Sequence, residues 1–143
     1  MKLWNPPPSI KIYEALGCIA DERIVEENSE MRVYSSSGNK YYLVEYDEKT
    51  DAIVSNDNGS YYVGYLGYPA IAYLMMKNKL SLNEEYVRAL KGIHWKDLNV
   101  KHQNDYSLVV EVIHKQYLEP NRVNIEKFKV FVEMTLEEVE AMK

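Results

Sequence analysis

Thirteen tyrosines stand among the 143 residues, and nine of them fall between Tyr34 and Tyr73, where two-residue alternation and glycine turns are also densest. A ring with an apolar body and a polar tip suits a sheet face that is partly dry and partly wet. The segment reads as antiparallel sheet, and the more helical remainder of the chain as the layer that covers it.

From about Arg23 the hydrophobic period becomes two, and strands are expected at roughly 23–27, 30–36, 40–47, 51–55 and 60–66. Ser37-Gly38-Asn39 turns the second strand into the third, and Asp47-Glu48-Lys49-Thr50 turns the third into the fourth. Asn56-Asp57-Asn58-Gly59 carries an Asn-Gly pair, the strongest local hairpin signal in the chain. Connections this short make a meander in which each strand is antiparallel to the last. Residues 38–46 and 59–65 resemble one another, each a turn glycine followed by Tyr-Tyr and an apolar alternation. The general demand of strands for aromatic and β-branched residues accounts for the echo without a duplication.

Helical spacing frames this sheet on both sides. Ser9 stands where a helix can begin after Pro6-Pro7-Pro8, and Ile12, Tyr13, Leu16, Ile19 and Ala20 recur every three or four residues. Gly17 lies inside that stripe and reads as a place where another element comes close. Pro69 opens a helix to Met76 or Asn78, and Ser81-Leu82-Asn83-Glu84 has the form of a capping box for a helix ending at Gly92. Asn104 or Asp105 caps a further helix that stops before Pro120. Residues 125–134 satisfy two patterns: Val130-Phe131-Val132 favours a strand, while the stripe Ile125, Phe128, Val132, Leu136 and Val139 favours one helix over about 124–142, the reading adopted here.

The expected architecture is a single α+β domain spanning residues 1–143. A meander of four or five strands packs against an N-terminal helix and three or four later helices. The lone Cys18 excludes an intrachain disulfide and lies in an apolar helical setting, which reads as a buried thiol in a reducing compartment. No stretch approaches the roughly 20 apolar residues of a membrane span, so a cytoplasmic location is expected. Of the formal charge of −5, the acidic excess lies in residues 1–70, with six basic and eleven acidic side chains.

Chemistry is harder to place. No CxxC or HExxH core is present, and the Asp47 to Asp51 turn lacks the alternating oxygen ligands of an EF-hand, so neither metal nor cofactor is expected. Glu111 and His114 share a helix face at i, i+3, which reads as an ion pair rather than a metal pair. No nucleophile elbow or phosphate loop is found. The basic segment 77–101, with Tyr86 and Trp95, could support weak single-stranded nucleic-acid binding, but Glu45, Asp47 and Glu48 on the neighbouring sheet argue against it.

The preferred reading is a binding or protein-interaction module using a Tyr-rich sheet face. Tyr41, Tyr61, Tyr65 and Trp95 are the binding or interface candidates, the partner being a second copy (a dimer), another protein or a small molecule. The alternative is a small enzyme with a polar cleft near residues 94–102, for which His94, Asp97 and His102 are the catalytic candidates. Gly92 to Asn104 holds Trp95 and three aliphatics, so an ordered segment is expected, with a turn of helix near Trp95–Leu98, Trp95 mostly buried and His94 or His102 nearer water.

Overall fold

The N-terminal stripe forms α1 (Ile10–Ala20), whose residues Ile10 and Ile12 to Cys18 are all buried, so this helix runs through the interior. The computed structural model describes residues 5–27, 30–57 and 59–142, and within these the side chains of Tyr61 and Tyr62 are not described. After α1 the chain enters a four-stranded antiparallel meander: β1 (Ile24–Glu27), β2 (Glu30–Tyr34), β3 (Tyr41–Asp47) and β4 (Ala52–Ser55), in that spatial order.

Register explains which face is covered. Val33 lies opposite Tyr42, Val44 opposite Ser55 and Tyr46 opposite Ile53, so Val33, Val44 and Ile53 share the dry side and are at most 4% exposed. The other side carries Arg32, Tyr34, Tyr41, Leu43, Glu45 and Val54. The strand alternation thus places Tyr42, Val44 and Tyr46 inward and Tyr41 and Glu45 outward. Two ring contacts fasten the dry face to the next helix, α2 (Tyr68–Met76): Tyr42 meets Tyr68 edge-on at 6.2 Å, and Tyr46 meets Tyr73 at 6.1 Å.

The expected fifth strand, 60–66, is not formed. Gly59–Val63 is a wide π-helical turn, and Tyr65 makes a single parallel bridge with Asn5. The cause is local: the buried Asp57 carboxylate accepts hydrogen bonds from Ser55 Oγ at 2.6 Å and from the Ser60 amide at 3.2 Å. Such a side-chain anchor coils the backbone instead of extending it. Gly64, at φ 91°, then reverses the chain. The hairpin expected at 56–59 is replaced by this turn; Asn58 lies outside the described residues.

The rest is helical: α3 (Glu84–Ala89), α4 (Trp95–Lys101), α5 (Tyr106–Ile113), which widens into a π-turn over His114–Leu118, and α6 (Ile125–Glu140). Residues 125–134 are therefore helix. Asn83, rather than Ser81, caps α3, accepting from the Glu85 and Tyr86 amides. Ser81 instead ties the loop to α6, its amide and hydroxyl both donating to Glu138 at 2.9 and 2.8 Å. Asp105 caps α5 and Asn124 caps α6. Phe128 joins these helices to α1, meeting Tyr13 at 5.0 Å and Tyr86 at 4.8 Å, both edge-on. The Tyr13 hydroxyl and His114 Nε2 are hydrogen-bonded at 2.7 Å. Among the described residues no helix is long and apolar enough to cross a membrane.

Candidate ligand-binding cleft

Where α1 meets the end of the β2–β3 hairpin, the start of α2 and the α4–α5 pair, a cleft of about 360 Å³ opens. That volume falls within the range of small-molecule sites.

The sheet-side wall alternates cations and rings. Arg23, just after α1, donates from Nη1 to the Tyr34 carbonyl at 2.9 Å. Its guanidinium lies 5.6 Å from the Tyr68 ring centre, Tyr68 meets Tyr42, and the Lys40 ammonium lies 5.3 Å from the Tyr42 ring. Cation–π attraction favours these positions for the two cations without neutralising them. Burial pushes the Tyr68 hydroxyl well above its ordinary range, although Arg23 works against the rise, so the phenol stays a neutral donor.

The helix-side wall carries Lys11 and Glu14 of α1, paired at 3.0 Å, with the Lys11 ammonium 5.4 Å from the Tyr106 ring. Glu14 is only 5% exposed. Burial raises its pKa above the ordinary carboxylate value, while Lys11 and Arg23 pull it down without cancelling the rise. For Lys11, burial lowers the pKa, and the Glu14 carboxylate more than offsets this, leaving the ammonium above its usual range. Tyr65, on the same side, is also raised, chiefly by burial.

Three glycines let the walls close. A Cβ on Gly17 would sit 2.6 Å from Trp95 Nε1, so the missing side chain is what allows the indole to rest on α1. A Cβ on Gly59 would run into the Tyr65 ring, and one on Gly67 into the Asp57 carboxylate. Asp57 is further boxed in by Ser60, whose hydroxyl accepts from the Gly67 amide at 3.1 Å.

Several polar atoms of the lining are buried without a hydrogen-bond partner among the described residues: Arg23 Nε and Nη2, Trp95 Nε1 and Asn99 Oδ1. Buried polar groups in native proteins are normally satisfied, so these atoms mark where a bound molecule or ordered water completes the network. The lining also carries four cations, Lys11, Arg23, Lys40 and Lys96, against two carboxylates, Glu14 and Asp57. In an acidic chain the cleft is thus a local concentration of positive charge.

Of the candidates read from sequence, Tyr65 and Trp95 line this cleft. Trp95 is 2% exposed and opens α4, which agrees with the ordered segment and helical turn expected there. Tyr41 is elsewhere, exposed on the outer sheet face 4.6 Å beneath the Arg32 guanidinium, and the Tyr61 side chain lies outside the described residues. His94 and Asp97 are exposed, and His102 is half-buried at the C-terminal end of α4. The segment 94–102 does border the cleft, through Trp95, Lys96, Asn99 and Val100 instead of through those three. Of the basic segment 77–101, Lys77 and Lys79 lie over Tyr73 and Tyr46, away from the cleft.

Sequence reading passed over Lys11, Glu14, Arg23, Lys40 and Asp57. One signal was available: Glu14 is a carboxylate in the otherwise apolar run Tyr13-Glu14-Ala15-Leu16-Gly17-Cys18. Among the described residues no cluster of three or more His, Cys, Asp or Glu side chains could hold a metal ion. Cys18 is fully buried, and burial pushes its thiol up to about 12.

A family model described as Uncharacterised conserved protein UCP014422 matches residues 4–143, and the chain belongs to that family. No curated protein and no solved structure gives a match.

Proposed function

We propose that this member of the UCP014422 family is a small-molecule binding protein whose site is the cleft between α1, the β2–β3 hairpin and α4–α5. The observation that carries the reading is the set of buried, unpartnered polar atoms on Arg23, Trp95 and Asn99 around one concave space. A purely structural cleft would satisfy or exclude such groups, because each costs about 1–3 kcal/mol when left unmade. Glu14 is the titratable group on which any catalytic use of the cleft would turn, since burial has displaced its pKa. The test is a thermal-shift screen of polar metabolites, with hits mapped by amide chemical shifts. Hits are expected to move the amides of Ser36, Gly67, Trp95 and Lys96. A screen whose hits leave these four still would sink the reading.

A second reading concerns the outer face of the sheet. Val25 on β1, Tyr41 on β3 and Val54 on β4 are 40%, 43% and 60% exposed there. This supports a contact with another protein or with a second copy of the chain. Sedimentation over a micromolar concentration series tests it, and a monomer throughout would remove the self-association part.

A further inference from the structure

Arg23 is held in an unusual way for a cation lining a cleft. Its Nη1 is spent on the Tyr34 carbonyl, and its central carbon lies over the Tyr68 ring, 5.6 Å from the centre. Nε and Nη2, the two atoms on the opposite edge of the guanidinium, have no partner among the described residues. Those two N–H groups point the same way and form the fork that matches the two oxygens of a carboxylate or phosphate. A guanidinium placed for structure alone would be expected to use this edge on a protein carbonyl or carboxylate. Glu14, the nearby carboxylate that could have taken it, is engaged by Lys11 instead.

We infer that the cleft recognises an oxyanion, a carboxylate or phosphate group on a small molecule, gripped two-pronged by Arg23 Nε and Nη2. The inference rests on the proposed binding role of the cleft and names the ligand class. Lys40 and Lys96 border the same space and add attraction without geometry. Asp57 keeps its negative charge but is tied to Ser55 and Ser60, and with Glu14 it is outnumbered by the four cations of the lining. Asn99 Oδ1, also without a partner among the described residues, calls for an O–H or N–H on the rest of the molecule.

The experiment titrates the full chain with inorganic phosphate and, separately, with malonate, following the amides of Lys40, Trp95 and Lys96 by NMR. Saturable shifts at millimolar concentration are expected with one of the two, and which one tells phosphate from carboxylate. Arg23→Gln should weaken that binding at least about tenfold, the loss expected for a charge-assisted pair. Arg23→Lys should fail to restore it, because lysine keeps the charge and loses the fork. Wild-type affinity in Arg23→Lys would overturn the inference, as would no saturable shift with either anion. Should either Arg23 variant fail to fold, Lys40→Gln with Lys96→Gln replaces it. That variant is expected to lower affinity several-fold and steepen no salt dependence, and unchanged affinity would count against the inference. Neutral hits from the metabolite screen that move the cleft amides in wild type and in Arg23→Gln alike would reject the oxyanion and leave the binding role standing. If no compound of any charge moves those amides, both fall.

Discussion

Trp95 shows how one residue serves two levels of organisation. Its indole packs with Nε1 on Gly17, and the same residue lines the cleft. Trp95→Ala should lower stability by about 3–5 kcal/mol, the usual cost of deleting a buried aromatic, read from the denaturant midpoint at unchanged slope. Gly17→Ala should cost roughly 1–3 kcal/mol by overpacking, since the new methyl meets the ring. The penalty should shrink in a Trp95→Leu background, and a double-mutant cycle with no coupling would refute the contact.

His114 offers a pH test at the same scale. Burial lowers its pKa from the ordinary 6.5, Lys129 adds to this, and Glu119 and Glu111 oppose it. The unfolded chain therefore takes up the proton first as pH falls. Stability attributable to this residue is complete above about pH 6.5 and declines below it, levelling off once the folded state also protonates. His114→Gln should flatten the stability profile between pH 7 and 5 relative to wild type. Cys18, with its thiol raised to about 12 and no exposure, should react with thiol reagents in the native protein only as fast as the protein unfolds.

At the scale of elements, the caps are the simplest handles. Asn124 accepts from the Lys127 amide at 3.0 Å, and Asn124→Ala should destabilise by about 1 kcal/mol, with loss of helical circular dichroism confined to early thermal fraying. The strands and helices were legible in the sequence because their signals are local. Val33, Val44 and Ile53 alternate, and Ile125 to Val139 keep helical spacing through a stretch whose β-branched residues favour a strand. The turn at 59–63 was not legible, because Tyr61-Tyr62-Val63 has strand composition. What decides its shape is the carboxylate of Asp57, whose role depends on being buried against Gly67. The cleft was legible only in fragments. Trp95 and Tyr65 announced themselves as aromatics in irregular settings, whereas Arg23 and Lys40 look like ordinary sheet-end charges until Tyr68 and Tyr42 are seen beneath them.

At the scale of the whole molecule, the sheet has one face on helices and one open. If the open face joins two copies, replacing both Tyr41 and Val54 by lysine should abolish association in sedimentation while leaving thermal stability nearly unchanged, because neither side chain is buried in the monomer. The walls of the cleft come from Lys11 at one end of the chain to Tyr106 far along it, by way of the sheet and the start of α2. No short fragment holds more than part of it, so the site exists only in the folded chain. A ligand that fits it must then act as a thermodynamic clamp on the entire chain: at a hundredfold excess over its dissociation constant it would add about 2.7 kcal/mol to global stability. Hydrogen exchange should slow even in α6, which lends no side chain to the cleft, wherever exchange there requires global unfolding.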